Sequence, residues 1–205
     1  MNLVTDQYRQ QWTLMGKIFQ RRAQLAETAV DNDATLVHVA IAGGSLSEWD
    51  QFGSRWDQRL QELVQVVHGF GVKVLSIYPY GPDADDSRVS GVDFERSLSI
   101  DGVEIVVHST TDGRQRICAA LTNVEPSEIV NEGFLDQQLF GTAGNPDLVI
   151  VLGPANCLPA SLVWELAYGE IVFVEQSWTE LALESINYAI QEYSLRHRRF
   201  GGVDT

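Results

Sequence analysis

The chain has 205 residues, with 14 Lys and Arg against 28 Asp and Glu, a formal net charge of −14. Hydrophobic residues make up 44% and charged residues 20%, a globular composition that excludes collagenous, low-complexity and disordered classes. No basic run precedes the C-terminus, so a nucleic-acid footprint is absent and direct adhesion to an anionic membrane is disfavoured.

The length predicts one domain over 1–205, able to bury a core without disulfides or metal staples. No apolar run approaches the ~20 residues of a spanning helix, and the N-terminus lacks a charged-then-apolar leader. A cytoplasmic protein without a transmembrane segment is expected. Cys118 and Cys157 match no metal spacing and are expected to be buried free thiols.

In chain order, Tyr8, Trp12, Met15, Phe19, Ala23 and Ala26 fall near helical spacing and predict an N-terminal helix within 1–30. A break at 31–35 precedes the short apolar run 36–41, a buried strand ended by Gly43-Gly44-Ser45. Trp49, Phe52, Trp56, Leu60, Leu63 and Val67 predict one helix from about 47 to 68. Gly69 and Gly71 stop it, and 72–78 is a second strand. Residues 79–91 form a Pro-, Asp-, Gly- and Ser-rich loop. Further strands are predicted at 103–107, 148–152 and 171–174, and helices at 114–122, 126–140, 161–169 and 178–197. Short β-branched strands alternating with helices predict an α/β fold, a central, mostly parallel sheet flanked by helices. Ligands of such sheets bind at the carboxyl ends of the strands: here 42–45, 78–81, 108–111 and 153–156.

The residues at those ends leave the chemistry open. Gly43-Gly44 lies between strand and helix and could cradle a phosphate, yet it lacks the G-x-G-x-x-G pattern and a P-loop lysine, so a tight turn is the simpler reading. Asp83, Asp85 and Asp86 could hold Mg²⁺, but Arg88 and Val89 stand where a further acid would complete an Asp-rich diphosphate motif, and a solvated loop is the simpler reading. His38, His68, His108 and His197 have no metal-ligand spacing and read as structural. Gly153-Pro154 is a turn. No metal site is predicted.

Several segments together resemble the cis-prenyltransferases, the undecaprenyl diphosphate synthase family. His38-Val39-Ala40-Ile41-Ala42-Gly43-Gly44-Ser45-Leu46-Ser47-Glu48-Trp49 is similar to the family's H-V-A-I-x-M-D-G-N-x-R-W. The run 71–78 resembles its second strand. Pro146-Asp147-Leu148-Val149-Ile150, followed by 162–170, is similar to P-D-L-x-I-R-T-S-G-E-x-R-x-S-N-F-x-x-W-Q-x-A-Y-S-E. Arg198-Arg199-Phe200-Gly201-Gly202 resembles the C-terminal tail. Trp49 and Glu170 are retained positions of these motifs. The departures fall on the chemistry: Gly44 stands for the Mg²⁺-binding Asp, Leu46 for Asn, Glu48 for the diphosphate-clamping Arg, and Val151 and Cys157 for two further Arg. The chain is also short between Tyr78 and Val103, where catalytic members place the helices walling a product tunnel.

This pattern resembles the non-catalytic, Nogo-B-receptor-like subunits of heteromeric cis-prenyltransferases. The resemblance implies a catalytic cis-prenyltransferase partner that binds Mg²⁺, with no cofactor in this chain. It implies that Arg199 and Gly201 act in trans at isopentenyl diphosphate in the partner's site. It places 161–169 and 171–174 at a subunit interface, with membrane contact reached only through the partner. An atypical terpenoid enzyme or pseudoenzyme homodimer on the same fold, and a scaffold protein without prenyl chemistry, are the alternative readings.

Overall fold

The computed structural model describes residues 36–122, 124–125 and 128–196. The N-terminal helix expected within 1–30 and the tail carrying Arg199 and Gly201 lie outside the described residues.

Six strands form one sheet in the order β3-β4-β2-β1-β5-β6. They are β1 (His38–Ala42), β2 (Val74–Tyr78), β3 (Arg96–Ile100), β4 (Val103–Val107), β5 (Leu148–Leu152) and β6 (Glu170–Val174). Every pairing is parallel except β3 with β4. The central strands β1, β2 and β5 are buried along their whole length. That is why their sequences read as continuous apolar runs rather than alternating ones.

Alternate residues of these strands feed two cores. Val39, Ile41, Leu75, Ile77, Leu148 and Ile150 face one side. There they meet helices α1 (Leu46–Phe52), α2 (Arg55–His68) and α5 (Leu183–Leu195). Helix α5 buries Ile186, Ala189, Ile190 and Tyr193, one helical stripe. Ala40, Ala42, Tyr78, Val149 and Val151 face the other side. Helix α3 (Gly113–Leu121) and helix α4 (Glu132–Phe140) follow β4, and α3 lays Arg116 over the Tyr78 ring on that side.

Four expectations need correction. The helix expected over 47–68 is two helices, because Gly53 takes a left-handed φ of +50° and ends α1. The interval 161–169 is not a helix but a turn with one short 3-10 segment, Glu165–Ala167. Glu165 turns its carboxylate to Arg116 and to the Val163 N–H there, which holds the chain in a non-helical path. Strand β3 was not expected. Cys118 and Cys157 are both exposed, not buried.

Strand order decides where a ligand can sit. The chain builds from β1 outward through β2 to β4, then returns to the other side of β1 for β5 and β6. The reversal falls between β1 and β5, and in open α/β sheets a crevice opens beyond the carboxyl ends of the strands at such a switch point.

Candidate functional site at the β1–β5 switch point

A cleft of about 640 Å³ lies at that point. Its floor is the continuation of the sheet. Gly43 N–H donates to Tyr78 O at 3.0 Å and Tyr80 N–H to Gly44 O at 2.7 Å, so β1 and β2 stay paired past their ends. Leu152, Gly153 and Pro154 leave β5 along one wall, and Trp178 leaves β6 along the other.

The two glycines of the β1 turn are sterically required. A β-carbon on Gly43 would fall 2.6 Å from Leu152 Cδ1. Gly44 has φ +72°, and a β-carbon there would fall 2.8 Å from Trp178 Cβ and 2.9 Å from Trp49 Nε1. The crowding comes from an aromatic cluster beneath the turn. Trp49, Trp56 and Trp178 lie with ring centroids 4.8–5.8 Å apart, and Trp49 Nε1–H donates to Gly43 O at 3.0 Å. The Trp49 identified from sequence is therefore a fully buried structural residue.

Three N–H groups at the start of α1 are taken by the chain's own side chains. Ser45 N–H donates to Glu48 Oε2 at 3.1 Å, and Glu48 N–H donates to Ser45 Oγ at 3.2 Å, a capping box. Ser47 N–H donates to Asp86 Oδ1 at 3.0 Å. Asp86 Oδ2 in turn accepts Asp83 N–H at 2.8 Å, and Asp83 Oδ1 accepts Asp85 N–H at 3.1 Å. The acidic loop is thus self-capped and folded against α1.

The other sequence-selected positions disperse. Leu46 is buried in the core beside Trp49, and Val151 is fully buried on the opposite face of the sheet. Cys157 sits exposed beyond the cleft, and its carbonyl accepts the Tyr80 hydroxyl at 3.0 Å. Glu170 opens β6, with Arg196 Nη1 3.9 Å from its Oε2 and donating to Ile171 O at 2.9 Å. His38 is a core residue. Its ring nitrogens lie 2.8 Å from Gly144 O and 2.8 Å from Ser76 Oγ, and burial pushes its pKa below 6.5.

The cleft wall contains Glu48, Asp83, Glu175 and Glu180 and, among the described residues, no Lys, Arg or His. These residues do not fit a metal-diphosphate centre. Gly44 has no room for a carboxylate, Glu48 is engaged in its cap, and among the described residues no group of three His, Cys, Asp or Glu could hold a metal ion.

A second constellation was not found from sequence. Arg116 on α3 is nine-tenths buried, ion-paired to the buried Glu165, and its guanidinium lies 4.8 Å over the Tyr78 ring. His108 stacks on the same ring at 4.5 Å. Its Nδ1 faces Glu95 Oε1 at 3.6 Å. Glu95 Oε2 accepts Ser109 N–H at 2.6 Å and Ser109 Oγ–H at 2.8 Å. Partial burial pushes the Glu95 carboxyl up, but the bonds from His108 and Ser109 outweigh it and hold it down at about 2.

Comparison with known proteins agrees with this architecture. The profile of the undecaprenyl diphosphate synthase family of prenyltransferases matches residues 94–201, just over half the chain. The chain belongs to that family. The matched segment begins after the Gly44–Glu48 turn.

Among curated relatives, a geranylgeranyl-diphosphate-specific tritrans,polycis-undecaprenyl-diphosphate synthase of Pyrobaculum aerophilum is 36% identical over 96 residues, covering 43% of this chain and 40% of that protein. An isoprenyl transferase of Oceanobacillus iheyensis is 31% identical over 99 residues, 48% of this chain and 38% of that protein. The chain therefore spans about two-fifths of the length of these relatives.

A probable undecaprenyl diphosphate synthase from Campylobacter jejuni superposes with a TM-score of 0.56 at 21% identity, covering 82% of this chain and all of that one. Lavandulyl diphosphate synthase from Lavandula x intermedia, solved with dimethylallyl diphosphate, gives 0.56 at 18% identity, covering 83% of this chain and all of that one. At these identities the likeness establishes the fold.

Proposed function

We propose that this chain is a non-catalytic accessory subunit of a heteromeric cis-prenyltransferase. Its partner binds Mg²⁺ and condenses isopentenyl diphosphate with an allylic diphosphate. This chain supports the partner's fold and supplies Arg199-Phe200-Gly201 to the partner's site. The observation that carries the reading is the cleft at the β1–β5 switch point, closed at Gly44 and walled by four carboxylates without a described cation.

Departure of a diphosphate needs positive charge aimed at the leaving oxygens. Here the opposite charge faces it. At an effective dielectric of about 20, a unit negative charge ~6 Å from one carboxylate is disfavoured by roughly 3 kcal/mol. The N–H donors that might have compensated are already bonded to Glu48 and Asp86.

Two features support the pairing role. Strand β6 is a sheet edge, and Val163 and Tyr168 nearby are 42% and 54% exposed. Arg196, the last described residue, donates to Ile171 O on that strand. The test is Arg199→Ala in the reconstituted pair. Loss of one charge-assisted contact, worth roughly 1.5–3 kcal/mol, lowers the partner's kcat/KM about 10- to 150-fold without weakening assembly. Unchanged kinetics in an intact complex would contradict the role of the tail.

A further inference from the structure

Helix α4 carries Phe134, Leu135, Leu139 and Phe140, yet none of its residues is buried. A helix with that many large apolar side chains ordinarily packs them onto the sheet beneath. Here those side chains stay only half-buried, with Phe140 edge-on to the His38 ring at 6.1 Å. Trp164 Nε1–H donates to Asp136 Oδ1 at 2.7 Å and fixes α4 to the loop after β5. Asn131 Oδ1 caps its start by accepting Phe134 N–H at 2.9 Å.

A cavity of about 490 Å³ lies between α3, α4 and the loop after β4, and one of about 230 Å³ lies between α4 and the β2–β4 face; both are lined by His108 and Leu139. Together they fall in the size range of small-molecule sites. They share no residue with the cleft at the switch point.

The two ends differ in chemistry. The larger cavity has Arg116, Thr110, Gln115 and Gln138 in its wall, all hydrogen-bond donors. The smaller is lined by Val74, Val106, Leu139, Phe140 and Ala143, along with His38, Ser76 and Glu104. Arg116 has five N–H donors. Its Nη1 serves Glu165, and the side chain still forms part of the cavity wall. Glu95, the acid of the larger cavity, has Oε2 committed to Ser109 and Oε1 turned to His108. A guanidinium held over an aromatic ring at a cavity wall is suited to a carboxylate or phosphate.

We propose that this double cavity is a binding site for a small amphiphilic anion. Its head group takes Arg116, with Thr110 and Gln115, and its apolar body lies against Leu139, Phe140 and Val106. The site is independent of the accessory-subunit reading and lies apart from the family's reaction cleft.

The full chain titrated calorimetrically with dodecanoate and with dodecyl phosphate separates the two head-group sources. Dodecanol and dodecyltrimethylammonium serve as neutral and cationic controls. One anion binds per chain, and the controls bind at least about tenfold more weakly. Arg116→Lys keeps a cation beside Glu165 but loses the planar fork, and weakens the anion about tenfold. Gln138→Trp, at an exposed position on α4, fills the mouth and abolishes binding with an unchanged thermal melt. Equal binding of the cationic control, binding that survives Gln138→Trp, or no binding of either anion would overturn the proposal.

Discussion

Ser45 and Glu48 satisfy each other across the first turn of α1, the Ser45 amide donating to Glu48 Oε2 at 3.1 Å and the Glu48 amide to Ser45 Oγ at 3.2 Å. The resemblance sets Glu48 against the family's diphosphate-clamping Arg, and in this fold its carboxylate holds the helix start. Glu48→Ala is expected to cost about 1 kcal/mol, the worth of a helix cap. Glu48→Arg is expected to cost at least as much and to yield no prenyl transfer, because an Arg forfeits the cap without gaining a metal partner. Urea unfolding of both variants checks the stability, and an enhancement of stability by Arg would contradict the assignment.

Placing at Gly44 the acid that the resemblance implies is expected to fail structurally. The left-handed φ costs a side-chain-bearing residue about 1–2 kcal/mol, and the contact with Trp178 and Trp49 adds roughly 1–3 kcal/mol of overpacking. Gly44→Asp therefore loses roughly 2–5 kcal/mol on the same scale, and gains no Mg²⁺ affinity. The measurements are a denaturant midpoint and a calorimetric Mg²⁺ titration. A stable variant that binds Mg²⁺ would show that the turn is permissive.

Acid should weaken the fold in two windows. Burial holds His38 below its ordinary 6.5, so the unfolded chain takes up that proton first. The stability of neutral His38 is complete above pH 6.5 and falls as the pH drops below it. Glu95 is held down at about 2 against 4.5. Its contribution is complete above pH 4.5 and is lost as the pH falls toward 2. Because its side chain is half exposed, screening leaves it worth about 1 kcal/mol. The urea midpoint is expected to decline below pH 6.5 and again below 4.5, with Glu95→Gln lacking the second decline. A midpoint constant from pH 8 to 5 would contradict the His38 assignment.

Central strands were legible because burial on both faces leaves an uninterrupted apolar run, as in Leu148–Leu152. Strand β3 was missed although its signal was present. Arg96-Ser97-Leu98-Ser99-Ile100 alternates and meets β4 through Asp101-Gly102, a hairpin pair with both residues at positive φ. The stretch 161–169 looked helical from local propensity, but the pull on Glu165 comes from Arg116, 49 residues away, a distance that no local pattern encodes. The cap is legible as Ser-x-x-Glu over Ser45–Glu48, whereas the motif resemblance shows Glu48 only as a lost cation. The exposed thiols were mistaken because free Cys is usually buried, whereas Cys157 lies on a loop that projects past the sheet. Within the interval read as a loop, Asp83–Asp86 caps a short 3-10 segment, Ala84–Arg88.

Prenyl transfer measures most directly whether this chain catalyses on its own or only through a partner. Purified full chain with farnesyl diphosphate, isopentenyl diphosphate and Mg²⁺ is expected to form no product. Co-expressed with a cis-prenyltransferase chain that carries intact D-G-N-x-R and R-x-R-x-S motifs, it should co-purify with that chain and raise its turnover. Robust product formation by this chain alone, or a catalytic chain whose activity is the same with and without it, would contradict the account.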